Sequence, residues 1–245
     1  MFDTHCHLNS YFNTPLDFPD SINSYLAVST QVDDWLDTIK FASQHHNVLA
    51  ALGIHPWFVK ESYGIDLVVL KSLISEYGIT AIGEIGLDFN EQYKKSRTIQ
   101  IQCFEQQLQI AESHQLPLSL HCVKAHNEML GLLKGCNCIG VVHGLGTSVQ
   151  IAQQYIDLGF KFGVNAVAVR ENAKRYHALI KRFGVEHIVL ETDYPNINLP
   201  GLVNPSLNDI HVVAKTVANI LCVSVEDVIQ QTDYNAEQIF KRNVL

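Results

Sequence analysis

The chain has 245 residues, of which 47% are hydrophobic, and its formal net charge is -8. This length allows two small domains, but α/β barrels commonly use it as one domain with a single buried core. The acidic balance excludes a protein that coats nucleic acid non-specifically, because neutralising phosphates requires clustered lysine and arginine. It still allows an enzyme that binds a few phosphates through metal ions.

Apolar segments and cysteines indicate the cellular location. No segment has the roughly 20 consecutive apolar residues of a membrane span, and the first residues lack the pattern of a signal peptide. The six cysteines form no CxxC pair and no regular framework. We therefore expect reduced thiols, a cytoplasmic location and no membrane contact, and nothing in the sequence indicates a protein partner. Cys136 and Cys138 could bind a soft metal, but a surface turn before a strand is the simpler interpretation.

Short apolar and β-branched segments alternate with longer segments of helical periodicity along the whole chain. The short segments predict strands at Phe2–His5, Ser24–Ser29, Val48–Ile54, Thr80–Gly86, Leu116–His121, Cys138–His143, Phe160–Asn165 and His187–Asp193. The longer segments predict helices at Val32–His45, Leu67–Tyr77, Arg97–His114, Ala125–Leu133, Val149–Leu158, Asn172–Phe183, Ser206–Leu221 and Val225–Lys241. Parallel β/α units of this kind form either a barrel or an open doubly wound sheet. Strand number and length favour a single (β/α)8 TIM-type barrel domain over residues 1–245.

Histidines and carboxylates occur at the ends of these predicted strands. His5 and His7 are two residues apart, so on a strand both imidazoles face one side and can bind one cation. Four further residues of these types end other strands, namely Glu84, His121, His143 and Asp193. Each alone could be an ordinary hydrogen-bonded rim residue. Because parallel strand ends meet on one rim of a barrel, the six together predict a site for one or two divalent ions, Zn²⁺, Mg²⁺ or Mn²⁺.

Five motifs resemble the TatD family of metal-dependent hydrolases, which belongs to the amidohydrolase-like barrels. They are DTHCHL at 3–8, GIHP at 53–56, GEIGLD at 83–88, LPLSLH at 116–121 and ETD at 191–193. Their order and spacing are specific to the family and extend over almost the whole chain. The resemblance implies a TatD-like deoxyribonuclease, a hydrolase that acts on ester bonds and cleaves phosphodiesters at DNA ends or in small nucleotide esters.

The resemblance also implies a role for each predicted ligand. It implies that His5 and His7 hold one ion and that Glu84 bridges two ions. His121 and His143 hold the second ion. Asp193 binds the first ion and acts as general base, so the expected catalytic residues are Asp193 and Glu84. Asp88 and Glu191 are expected to support ligands through hydrogen bonds rather than to bind metal.

The residues that contact the substrate are less regular. We expect contacts from His55, Arg97 and Lys124, of which Arg97 matches a family position. Where the family commonly has His-x-Arg, this chain has His121-Cys122-Val123, so the arginine that reaches the phosphate is absent. Two alternatives therefore stay open: a hydrolase of a small amide, lactone or carboxylic ester, and a non-catalytic barrel that binds metal.

Overall fold

In the computed structural model, which describes residues 1–9, 16 and 18–241, eight parallel strands lie side by side in chain order. The strands are β1 Phe2–Cys6, β2 Ser24–Val28, β3 Val48–Leu52, β4 Ala81–Asp88, β5 Leu118–Val123, β6 Gly140–Val142, β7 Phe160–Val164 and β8 Ile188–Leu190. The helices are α1 Val32–Gln44, α2 Tyr63–Tyr77, α3 Arg97–His114, α4 His126–Leu133, α5 Val149–Asp157, α6 Lys174–Phe183, α7 Asp209–Leu221 and α8 Val225–Phe240.

The sheet closes where β1 meets the segment after β8. Cys6 forms a parallel bridge with Tyr194, and the His7 amide donates to the Tyr194 carbonyl at 2.7 Å. On the same side the Asp193 amide donates to the His5 carbonyl at 2.9 Å. The predicted (β/α)8 TIM-type barrel is thereby confirmed, and the open doubly wound alternative is wrong.

Strand β4 illustrates why this sequence forms a barrel strand. All eight of its residues are buried, as expected for a parallel strand with helices outside and side chains inside the barrel. A Cβ at Gly86, whose φ is 145°, would overlap the carbonyl oxygen of His121 on β5. Glycine at this position therefore allows β4 and β5 to approach closely, which brings Glu84 and His121 together.

The last helix closes the end of the barrel at which the strands begin. Ala236, Ile239 and Phe240 of α8 pack against Phe2 and other apolar side chains of the strands. The Phe2 amide also donates to the Asp233 carboxylate at 2.8 Å. With this end filled, the opposite rim, where the strands end, is available for a site.

Several element boundaries differ from the predictions by one to four residues, including the end of β8 and the start of α2. Strand β8 ends at Leu190, so Asp193 lies three residues beyond it, in a left-handed backbone conformation with a φ of 54°. Helix α2 begins at Tyr63, four residues earlier than predicted, although Gly64 weakens its first turn. A tertiary contact compensates, since Gln106 of α3 donates to the Tyr63 hydroxyl at 3.0 Å.

None of the described helices is long and apolar enough to cross a membrane. The assignment of residues 1–245 to one domain and the cytoplasmic location stay predictions.

Candidate metal centre

The six predicted ligands converge at the rim where the barrel strands end. Three of them lie within strands, namely His5, Glu84 and His121. The other three follow strands by one to three residues, namely His7, His143 and Asp193. All six side chains are largely withdrawn from solvent, at 0 to 13% exposure. The barrel thus brings the whole predicted set together.

The Glu84 carboxylate lies at the centre of this cluster. Its Oε2 is 3.4 Å from Nε2 of His5 and 3.8 Å from Nε2 of His7. Its Oε1 is 3.0 Å from Nδ1 of His121 and 3.0 Å from Nε2 of His143. Each oxygen therefore faces a different pair of imidazoles, which is the arrangement of a carboxylate that bridges two ions.

Asp193 stands on the side of the first imidazole pair. Its Oδ1 is 3.4 Å from Nε2 of His7 and accepts a hydrogen bond from the side-chain Nδ2 of Asn196 at 3.0 Å. Burial opposes ionisation, but the His7 hydrogen bond and the neighbouring imidazoles keep the pKa of Asp193 below its ordinary value. The carboxylate is therefore ionised at neutral pH and can accept a proton.

Contacts on the outer side of His5 and His7 orient these two rings. Nδ1 of His7 lies 3.1 Å from the Val28 carbonyl, which can only accept, so this nitrogen carries a proton, and in the neutral ring Nε2 has the lone pair. Nδ1 of His5 lies 3.1 Å from the Ser119 hydroxyl. Among the described residues, the buried Nε2 of His5 has no hydrogen-bond partner. The Nε2 atoms of both rings thus point toward Glu84.

Carboxylates lie behind the other two imidazoles. Nε2 of His121 is 3.6 Å from Oδ2 of Asp88, and Nδ1 of His143 is 3.7 Å from Oε1 of Glu191. An outer carboxylate favours a proton on the nitrogen next to it, so in the neutral ring the inner nitrogen has the lone pair that can bind a cation. Asp88 and Glu191 thus lie behind the imidazoles that they are expected to support, and the supporting role stays a prediction.

These outer carboxylates are themselves held in place. Glu191 accepts from the Gly144 amide at 2.7 Å and from the Asn165 side chain at 2.9 Å. Asp88 accepts from the Trp57 indole at 2.6 Å. Burial would raise the pKa of Asp88, but the nearby His121 imidazole and the hydrogen bond from Trp57 hold that pKa at about 2. Both carboxylates thus have fixed positions behind the imidazoles.

The charges of the cluster fit divalent cations. Burial opposes a charge on Glu84, yet His55, His143 and His5 hold the pKa of its carboxyl well below the ordinary value. Burial likewise opposes a charge on His143, but Glu84 and Glu191 raise the pKa of its imidazole well above the ordinary value. A buried carboxylate that attracts protons to its neighbours is a site where a cation can replace those protons. Imidazole and carboxylate donors together suit Zn²⁺, Mn²⁺ or Mg²⁺.

Comparison with known proteins identifies the family. A family model described as TatD related DNase matches residues 2–241. The chain belongs to the TatD related DNase family. A Haemophilus influenzae protein named as an uncharacterized metal-dependent hydrolase is 29% identical over 222 residues, which cover 82% of this chain and 83% of that protein. TATDN3 of Mus musculus, named provisionally as a deoxyribonuclease, is 28% identical over an alignment of 264 positions. This alignment covers 99% of this chain and 88% of that protein.

Among solved structures, the crystal structure of the TatD homolog YjjV from Escherichia coli K12 has the same fold. Its TM-score is 0.87 at 24% identity, and the match covers 98% of both chains. The resemblance to the TatD family in the sequence is thereby confirmed. These relatives place the chain among the metal-dependent hydrolases of the TatD family.

His55 enters the cluster through a different kind of contact. Its Nε2 lies 3.5 Å from Oε1 of Glu84, and His55, Glu84 and His121 place one donor atom each within 4.8 Å of one another. However, the Trp57 amide donates to Nδ1 of His55 at 3.2 Å. The neutral ring therefore carries its proton on Nε2, which makes that atom a donor toward the site rather than a metal ligand. Burial supports this neutral form, because it lowers the pKa of His55 to about 4.

A cavity of about 400 Å³, called the metal cavity below, opens onto the cluster of predicted ligands. It is lined by five of the six predicted ligands, by His55, and by residues that the sequence did not indicate, namely Asn9, Thr30, Asp34, Trp57, Phe58 and Asn196. None of the described lining residues is a lysine or an arginine. The only sequence signals for the added residues were that Trp57 follows GIHP and that Asn196 follows ETDYP.

Arg97 and Lys124 do not line this cavity. Together with His126 they line a separate cavity of about 550 Å³ beside helix α4. Arg97 forms an ion pair with Glu128 at 3.2 Å, and its guanidinium lies 4.4 Å from the centroid of the Phe89 ring. The two predicted contacts are therefore near each other but outside the metal cavity.

Glu191→Gln is expected to weaken binding of the divalent ion about 10- to 100-fold, because the amide gives His143 a weaker acceptor. Competition titration with a chelator indicator measures this affinity. The exposed Glu105 provides a matched control, since Glu105→Gln removes the same charge from the outer face of α3. Equal affinity in the Glu191 and Glu105 variants would contradict a supporting role for Glu191.

Proposed function

We propose that this chain hydrolyses phosphodiester bonds, with Asp193 as general base and Glu84 as the carboxylate shared by two metal positions. The observation that carries the proposal is the position of Glu84, whose two oxygens face separate imidazole pairs beside an open cavity. Such a site serves the in-line displacement at a phosphate, in which the attacking and leaving oxygens both carry charge.

Two sets of ligands would hold the ions. His5, His7 and Asp193 form the first set, and His121 and His143 form the second, with Glu84 between them. Divalent cations bound there would lower the pKa of water near the phosphate and neutralise charge that develops on its oxygens. The outer contacts of His7, His121 and His143 favour a proton on the outer nitrogen of each ring, so a bound cation would replace the protons on the inner nitrogens.

Asp193 has the position and charge of a general base. Its carboxylate is ionised and lies at the cavity, where it can take a proton from the attacking water and later return it to the leaving oxygen. Asn196 fixes the orientation of this carboxylate through its hydrogen bond. His55 adds an N–H on the opposite side of Glu84, from which it can donate to a phosphoryl oxygen.

DNA is the substrate that the family relationship favours, because the family description and the provisional name of the mouse relative both refer to deoxyribonuclease activity. The scissile phosphate would lie in the metal cavity. Lys124 follows His121 by three residues, about 10 Å along an extended chain, so Lys124 and Arg97 can contact the next phosphate of a strand.

The proposal is tested with a substrate panel on the metal-loaded protein. The panel contains a 3′-labelled single-stranded oligonucleotide, a chromogenic phosphodiester and a chromogenic carboxylic ester. We expect cleavage of the two phosphodiesters and slow or no cleavage of the ester. Cleavage of the ester alone would overturn the proposal.

Lys124→Gln is expected to raise KM for the oligonucleotide about threefold to tenfold, while KM for the small chromogenic phosphodiester stays unchanged. The reason is that a small substrate in the metal cavity does not reach the separate cavity that Arg97 and Lys124 line beside α4. Lys71 on α2 gives the matched control, because Lys71→Gln removes the same charge at an exposed position elsewhere. If both substrates respond equally to Lys124→Gln, its proposed phosphate contact is wrong.

One observation favours a second candidate function. The metal cavity has no lysine or arginine among its described lining residues, so it offers no cation from the protein itself to an anionic substrate. A neutral amide, lactone or carboxylic ester would fit this lining, and the same two-ion chemistry can polarise a carbonyl. The panel separates this candidate from the phosphodiesterase through its chromogenic ester.

A further inference from the structure

Trp57 is an exposed aromatic residue that lines the metal cavity. It is 48% exposed, and the neighbouring Phe58 is 37% exposed. Both side chains line the cavity that contains Glu84 and His121. The sequence has one other tryptophan, Trp35, which is fully buried.

The indole of Trp57 is held in one orientation by three neighbours. Its N–H donates to Asp88 at 2.6 Å. Its ring stacks on Tyr93, with centroids 5.4 Å apart and planes inclined by 20°. The His55 ring meets it edge-on at 4.8 Å and 86°. Because the polar end of the indole is satisfied and the ring is fixed, its open surface is a preformed apolar platform.

The platform is next to the reacting groups. The Trp57 and His121 rings have centroids 5.9 Å apart, and the Trp57 amide fixes the proton of His55. A group attached directly to a phosphate in the cavity would therefore meet this ring. Since no lysine or arginine lines the cavity among the described residues, ring stacking is the main source of affinity that the chain itself offers to such a group.

We propose that Trp57 is the residue that stacks on the nucleobase of the nucleotide whose phosphate enters the metal cavity. This inference rests on the proposed phosphodiesterase function and adds to it the side chain that contacts the base. Bases of any identity present a π face, so the platform selects for a base without selecting its sequence.

Trp57 fluorescence tests the stacking without any catalytic turnover. The metal-loaded protein is titrated with deoxyadenosine monophosphate and, separately, with deoxyribose 5-phosphate, which has the sugar and phosphate but no base. We expect quenching with the first ligand and none with the second. Trp35 contributes a constant background because it is fully buried, and Trp57→Phe is expected to abolish the quenching.

Calorimetry on two variants separates stacking from the hydrogen bond to Asp88. Trp57→Phe and Trp57→Leu both lose that bond, but only the phenylalanine keeps an aromatic ring. We expect Kd for deoxyadenosine monophosphate to be about tenfold higher in the leucine variant than in the phenylalanine variant. Kd for deoxyribose 5-phosphate is expected to be equal in the two variants.

The outcomes distinguish this inference from the proposed function. Equal affinity of the wild-type protein for both phosphates, or equal Kd for the nucleotide in both variants, would overturn the base platform. These results are independent of the substrate panel, which overturns the proposed function if no phosphodiester is cleaved. A protein that cleaves small phosphodiesters without any preference for a base would retain the proposed function and lose the inference.

Discussion

Glu84→Gln is expected to lower turnover at least about 100-fold and to reduce the bound divalent ion relative to the wild-type protein. The carboxylate is 3% exposed and faces imidazoles on both sides, so an amide there removes the shared negative charge and turns an N–H₂ group toward ring nitrogens. Steady-state kinetics on the chromogenic phosphodiester and metal analysis of the purified variant measure the two effects.

The control for this variant is Glu105→Gln, which changes the same functional group on the exposed face of α3. Circular dichroism and thermal unfolding of both variants establish that the barrel is folded before activities are compared. Wild-type turnover and wild-type metal content in Glu84→Gln would refute the assignment of Glu84 as the bridging ligand.

Asp193→Asn is the second change with a large expected effect. Loss of a general base typically lowers the rate by about 10²- to 10⁴-fold, so kcat is expected to fall at least about 100-fold. The asparagine keeps the size of the side chain and can still contact Asn196 through its carbonyl oxygen, so folding is expected to be preserved. The exposed Asp33, replaced by asparagine in the same way, provides the control.

Asp193 is also a proposed ligand, so its variant must be assayed at saturating metal. If excess divalent ion restores wild-type turnover in Asp193→Asn, the residue acts only as a ligand and the general-base assignment is wrong. A persistent deficit at full metal occupancy supports proton transfer by its carboxylate. Metal content and kcat are therefore measured on the same samples.

Most of the barrel could be predicted from the sequence because the pattern of a parallel strand is local. Strand β4, for example, is recognisable from the apolar residues around Glu84, which are buried on both faces. The end of β8 was harder to predict, since Glu191 and Thr192 after the apolar Val189 and Leu190 include neither glycine nor proline to mark a stop. Beyond Leu190 the chain contacts β1 instead, since Asp193, in a left-handed backbone conformation, donates its amide to the His5 carbonyl.

The sequence by itself determined which residue types stand at the strand ends, and hence the set of six candidate ligands. Only the tertiary structure decided how these groups face one another, because that depends on how strands far apart in the chain meet in the closed barrel. In the tertiary structure Glu84 lies between two imidazole pairs. The hydrogen bond from the Trp57 amide to Nδ1 of His55 leaves the proton of that ring on Nε2, which can donate. The tertiary structure also put Arg97 and Lys124 in a separate cavity. Side-chain type and spacing are local properties, whereas ring orientation, proton position and cavity membership are set by long-range contacts.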